Sequence, residues 1–167
     1  VDAVAVKRIL LTGMSGTGKS TLTRALEARG FKAVDLDTDA YSHWVEIAGD
    51  AGVEPGRDWV WREERVAALL DLEDAPALFV SGTSANMGRF WSRFDAVVLL
   101  SAKPEIIADR LRSRTTNNYG KRPEELARVL ALIEEIEPLL RRGATLEIDT
   151  DAPLEDVLAR LEMLARD

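Results

Sequence analysis

The sequence predicts an α/β fold in which helices cover an open parallel sheet of five short strands, and two observations carry that prediction. Short apolar runs alternate with stretches of helical period along the chain, and the segments following most of those runs are rich in Gly, Asp, Ser and Thr. Alternation of strand and helix is the pattern of a parallel sheet, because parallel neighbours need a crossover connection. In such sheets ligands bind beyond the carboxyl ends of the strands, so composition and fold point to one edge.

Val6 to Thr12, VKRILLT, is an apolar run bounded by glycine, as suits a strand buried on both faces. Lys19 to Arg29 spaces Leu22, Ala25, Leu26 and Ala28 for a helix that Gly30 stops. Lys32 to Leu36 reads as the second strand and runs into an acidic cluster of Asp35, Asp37 and Asp39. Asp39 to Ala48 reads as helix, Gly49 to Gly56 with Pro55 as a loop, and Trp59 to Leu72 as a helix through Val60, Val66, Ala67, Leu69 and Leu70. Ala77 to Ser81 is the third strand, turning at Gly82, and Phe94 to Ser101 the fourth. Pro104 opens a helix to about Arg114, TTNNYGKR is a polar insert, and Pro123 starts a long helix to Arg142 expected to bend near Pro138. Thr145 to Asp149 is the last strand, and Pro153 to Ala165 the closing helix. No repeat or linker interrupts this order, so residues 1–167 are expected to form one domain.

Composition bounds the chemistry. With 167 residues, 46 % hydrophobic and 31 % charged, the chain has the usage of one folded globular domain. Twenty-two Lys plus Arg against 29 Asp plus Glu leave a net charge of −7, which disfavours a nucleic-acid partner. No apolar run approaches the roughly 20 residues that span a bilayer, and the start does not read as a signal peptide. The expected setting is the cytoplasm, away from membranes. The absence of cysteine removes disulfides, thiolate nucleophiles and thiolate zinc sites, and a single histidine, His43, leaves no His-rich metal site. His43 itself reads as a surface or packing residue.

Gly13-Met14-Ser15-Gly16-Thr17-Gly18-Lys19-Ser20 fits GxxxxGK[ST] at every fixed position and lies between an expected strand and an expected helix. Glycines let backbone N–H groups wrap phosphate oxygens, and the helix N-terminus adds positive potential. Lys19 is placed to bridge the terminal phosphates, Ser20 to give its hydroxyl to Mg²⁺, and Thr21 to join the nucleotide contacts. No NKxD guanine-reading tetrapeptide occurs, which favours ATP, and the strand ALFVS ends in Ser81 rather than an acid, which disfavours water-directed hydrolysis.

With GMSGTGKS near its start, a DLD after the second strand, an arginine-bearing helix and an RxxxR helix before a polar insert, the chain resembles the shikimate, gluconate and nucleoside monophosphate kinases. It looks most like the small bacterial proteins described as shikimate-kinase-like or AAA-family ATP-binding proteins. The resemblance implies a three-layer P-loop NTPase fold with strand order 2-3-1-4-5. It further implies that Asp35 holds Mg²⁺ through water and that Asp37 contacts the acceptor hydroxyl. The residues suit those roles independently, since alternate positions at a strand end can project two carboxylates toward a metal and an attacking oxygen. One acid also serves as a helix cap, for which Asp39 is well placed.

Trp61-Arg62-Glu63-Glu64 resembles an FRxxE segment in which the arginine grips an acceptor anion, so Arg62 is a candidate anchor; a solvated helix face explains it equally. Gly82 matches one glycine of a GGG that lines the shikimate pocket, but Ser81 and Thr83 replace its neighbours. Trp44, Trp59 and Trp61 read mainly as packing residues. Arg110 and Arg114 resemble the lid arginines, directed toward adenine and phosphates and toward the transferring group respectively, with a short lid about 115–122 and Arg112 and Lys121 assisting. Asp151 and Pro153 follow the last strand, where relatives set backbone against adenine; turn and helix-start chemistry also accounts for them.

The functional expectation is an ATP-dependent kinase that transfers the γ-phosphoryl group to a hydroxyl or phosphate acceptor, using Lys19, Asp37, Arg110 and Arg114, with ATP or ADP and a small acceptor as partners. A nucleotide-binding sensor without transfer and a slow ATPase are its rivals. Monomer and homodimer are both compatible with the sequence.

Overall fold

The computed structural model describes residues 5–115 and 118–167. Five parallel strands form the central sheet: β1 (Lys7–Thr12), β2 (Lys32–Asp35), β5 (Ala77–Ser81), β6 (Ala96–Ser101) and β7 (Leu146–Asp149). Their order is β2-β5-β1-β6-β7, and the pairings are parallel throughout. Two further strands, β3 (Ser42–Glu46) and β4 (Arg57–Trp61), stand apart as an antiparallel hairpin, so the parallel strands taken alone in chain order read 2-3-1-4-5.

Strand alternation divides the core. Ile9 and Leu11 of β1 and Val98 and Leu100 of β6 face α1 (Lys19–Ala28) and α5 (Leu154–Arg166), where Leu22, Leu26, Val157, Leu158 and Leu161 meet them. Leu10, Val97 and Leu99 face the opposite layer, built by α2 (Glu63–Asp71), α3 (Pro104–Ser113) and α4 (Pro123–Gly143) through Val66, Leu70, Ile107, Leu111, Val129 and Ile133. Each strand supplies both layers because successive side chains point to opposite faces. α4 runs on through Pro138. Among the described residues no helix is long and apolar enough to cross a membrane.

The hairpin corrects two expectations. Residues 39–48 were expected as helix and 59–72 as one continuous helix; the structure pairs Ser42 with Trp61, Trp44 with Trp59 and Glu46 with Arg57, and begins α2 only at Glu63. Ser-His-Trp-Val and Trp-Val-Trp satisfy a two-residue period and consist of bulky residues that pack well on a pleated surface. In so short a stretch that period competes with the helical one, and pairing between the two segments decides it. Arg128 of α4 fixes the hairpin's tip, donating to Asp50 Oδ1 and the Asp50 carbonyl, both at 3.0 Å, and to the Gly52 carbonyl.

Candidate functional site

The turn between β1 and α1 lies at the carboxyl edge of the sheet. A Cβ on Gly13 would sit 2.4 Å from the Leu100 carbonyl oxygen, so the first loop residue leaves no room for a side chain. Gly18 has φ +96°, a left-handed conformation that glycine adopts without strain, and from it the first turn of α1 starts. Thr17 is buried and donates its hydroxyl back to the Met14 carbonyl at 2.7 Å. Thr83, after β5, secures the loop from beside it: its hydroxyl donates to the Gly13 carbonyl at 2.6 Å and accepts the Gly13 N–H at 3.2 Å. The sequence reading missed this role of Thr83; the only signal was a hydroxyl in a strand-end turn at the same sheet edge.

Lys19 folds over the loop and donates to the carbonyls of Gly13 and Met14, the latter at 3.0 Å. Burial lowers the pKa of its ammonium to about 8, against the upward pull of Asp37 and Asp35 and with a further push down from Arg114. The protonated form is the one that pairs with phosphate. Nucleotide affinity should therefore fall as the pH rises through about 8, by up to tenfold per pH unit, until the higher pKa of the complex is reached. Calorimetric titrations of the wild type between neutral and alkaline pH should give that slope, and Lys19→Met should lose it.

The end of β2 brings the acidic residues to the same place. Ser20 Oγ donates to Asp35 Oδ2 at 3.2 Å, and Asp35 Oδ1 accepts the N–H of Asp37 at 2.8 Å. Asp37 Oδ1 accepts the indole N–H of Trp59 at 2.5 Å. Although Asp37 opens to the cleft, loss of surrounding water raises its pKa; Lys19 opposes this, Asp35 adds to it, and the Trp59 hydrogen bond and Arg114 oppose it.

From the other side, Arg110 of α3 bridges two segments. Its guanidinium donates to the Gly16 carbonyl at 3.2 Å, to Thr150 Oγ1 at 2.9 Å and to the Thr150 carbonyl at 2.7 Å. Arg114, at the end of α3, donates to the Tyr119 carbonyl, and burial lowers its pKa while Asp37 raises it.

These elements enclose a cleft of about 870 Å³. Gly13, Met14, Ser15, Gly16, Gly18, Lys19, Ser20, Thr21, Asp37, Arg110 and Arg114 all line it, and Asp35 reaches it through Ser20. Five residues expected in the site lie outside this lining, the first of them the buried Thr17. Arg62 directs its Nε to the carbonyls of Asp39 and Ser42, at 3.1 and 3.2 Å, tying the start of α2 to the hairpin rather than to the cleft. Gly82 lies against Trp61, whose indole nitrogen would be 3.1 Å from an added Cβ. Asp151 and Pro153 are exposed and do not line the cleft; their neighbours Thr150, Ala152 and Leu154 do. Asp151 N donates to Asp149 Oδ1 at 2.9 Å, the turn chemistry that the sequence also allowed.

Of the three tryptophans read as packing, only Trp61 belongs to the core, at 2 % exposure. Trp44 is 40 % exposed, and with Trp59 it walls the cleft, the two ring centroids 5.2 Å apart. His43 occupies the adjacent hairpin position, paired with Val60. Asp39 caps no helix, since β3 follows it; its carbonyl receives Arg62. Arg112 is exposed and pairs with Asp109 at 3.3 Å. Of the expected lid, residues 116 and 117 lie outside the described residues; Tyr119 lines the cleft.

Residues 9–131 match the AAA domain family. The shikimate kinase of Nitrobacter winogradskyi is 32 % identical over 165 residues, covering 93 % of this chain and 75 % of that one. A provisionally named adenylate kinase of Archaeoglobus fulgidus is 28 % identical over 159 residues, covering 95 % and 82 %. Among solved structures, the shikimate kinase of Acinetobacter baumannii in complex with shikimate superposes with a TM-score of 0.64 at 16 % identity, covering 96 % of this chain and 93 % of that one, which is a likeness of fold.

Proposed function

The chain belongs to the AAA domain family and, with its shikimate kinase relatives, to the small phosphate-loop kinases, and from that premise we propose an ATP-dependent kinase that transfers the γ-phosphoryl group to a hydroxyl or phosphate on a small molecule. The observation that carries this reading is the convergence on one cleft of the loop 13–20, the Ser20–Asp35 hydrogen bond of 3.2 Å and the Asp37 carboxylate.

The residues divide the work. Loop amides between Met14 and Thr21 receive the polyphosphate, apart from the Thr17 N–H that the Met14 carbonyl accepts, and Lys19 exchanges its two loop carbonyls for phosphate oxygens. Arg110 holds the loop against the segment that carries Thr150, Asp151, Ala152 and Pro153, where the base end of the nucleotide would lie. Ser20 and Asp35 fit Mg²⁺, being hard oxygen donors within 3.2 Å of each other. Among the described residues no group of three or more His, Cys, Asp or Glu could hold a metal by itself, and a sparse protein donor set is what Mg²⁺ takes alongside phosphates. When bound, Mg²⁺ supplies charge neutralisation across the β- and γ-phosphates.

Asp37 orients the acceptor and accepts its proton as the new O–P bond forms, and Arg114 lies where cationic charge steadies the transferring group. Transfer of this kind depends mainly on position and charge. Coupled assays of ADP release, with and without candidate acceptors, test the reading: release should require an acceptor, and phosphorus NMR should find the phosphoryl group on it. ADP release that no acceptor changes would favour the slow ATPase instead.

Trp59 adds a measurable handle. Its N–H stabilises the ionised form of Asp37, so Trp59→Phe should move the acidic limb of the kcat/KM pH profile upward while nucleotide affinity stays constant. An unmoved limb would separate Asp37 from the titrating step.

A further inference from the structure

Building on the kinase reading, we infer that the acceptor is an uncharged alcohol with a flat apolar body, not a carboxylate or a phosphate ester. The acceptor side of the cleft is walled by Trp44, Trp59, Val53 and Tyr119, with Asp37 and Glu54 as its carboxylates. Trp44 and Trp59, set edge-on to one another, form such a wall for a planar substrate; of its two acids Glu54 is paired with Arg57, and Asp37 lines the space the acceptor would fill.

Recognition of an acceptor anion calls for an arginine fork aimed into this space. Arg57, Arg62 and Arg128 lie on or beside the hairpin, and each is engaged by protein groups there. Arg57 lies over the Trp44 ring, 3.8 Å from its centroid, and donates to Glu54 at 2.7 Å. Arg62 serves the carbonyls of Asp39 and Ser42, and Arg128 serves Asp50 and Gly52. None of the three lines the cleft. Among the described residues, the cations that line it are Lys19 on the phosphate loop, Arg24 on α1, Arg110 between loop and Thr150, and Arg114 beside Asp37. Lys19, Arg110 and Arg114 are placed for the donor and the transferring group, and Arg24 extends from the helix that begins at the loop.

The chemistry follows. The acceptor O–H is held by Asp37, its proton passes to that carboxylate, its oxygen bonds to the γ-phosphorus, and the bond from that phosphorus to the bridging oxygen of ADP breaks. The apolar body meanwhile rests on Trp44.

Tryptophan fluorescence of the ADP-loaded protein provides the test, titrating matched pairs: a nucleoside against its 5′-monophosphate, and an aryl glycoside against the corresponding aryl uronide. The neutral member of at least one pair should bind about tenfold more tightly than its anion, Trp44→Ala should weaken it about tenfold, and Trp44→Phe should restore most of the loss. Tighter binding of the anions, no binding of any member up to about 10 mM, or indifference to Trp44→Ala would overturn the inference. Should neutral alcohols bind through Trp44 while ATP yields no phosphorylated product, the transfer reading falls and the acceptor class stands.

Discussion

Lys19→Ala should lower kcat by about a thousandfold or more without destabilising the fold, because the side chain supports charge rather than core. Its Nζ bonds the carbonyls of Gly13 and Met14 in the loop it is meant to serve, and burial already disfavours its ammonium, pulling the pKa to about 8. Removing a charge that the folded state holds below its ordinary pKa relieves a strain present at neutral pH; the thermal midpoint should hold or rise. Steady-state kinetics with a thermal melt of the same preparation checks both halves. A variant that turns over normally would detach catalysis from this loop, and one that unfolds would make the lysine structural.

Asp37→Asn is expected to reduce kcat by about 10²–10⁴-fold with little change in the KM for ATP, the loss associated with removing a positioned base. Asparagine preserves the shape and can still accept the Trp59 N–H, so the hairpin should keep its place against the cleft. The sign of the stability effect follows from the raised pKa. The folded state binds the Asp37 proton more readily than the unfolded chain, so this group makes the protein less stable as the pH rises through that interval. The amide removes the dependence, and at neutral pH Asp37→Asn should melt no lower than the wild type. An acceptor KM that rises while kcat is untouched would assign Asp37 to binding alone.

The glycine spacing, the position of the lysine and the strand-helix alternation were local signals, and the parallel sheet and the place of the loop at its carboxyl edge follow from them; the strand order came only from the resemblance to the small kinases. The meeting of Ser20 and Asp35 at that edge was also legible, because each sits at the end of an element whose direction the alternation determines. The hairpin side of the cleft was not. Its shape depends on residues 42–61 choosing a hairpin, a choice made by cross-strand pairing of Trp44 with Trp59 that no single-segment period contains. Once that pairing is present, Arg62 falls at the start of α2 with its Nε on the carbonyls of Asp39 and Ser42, and Trp61 packs over Gly82. Motif matching placed both residues at an acceptor, since it reads their identity and not the direction the intervening backbone gives them. Thr83 escaped notice for a similar reason: its partner Gly13 is 70 residues away in sequence.

Titration calorimetry with ATP and Mg²⁺ on the intact chain tests the central claim most directly. One nucleotide should bind per chain, with affinity sharply reduced in Lys19→Ala and declining above about pH 8 in the wild type. Absence of heat from both ATP and ADP, or equal binding by wild type and Lys19→Ala, would contradict the account.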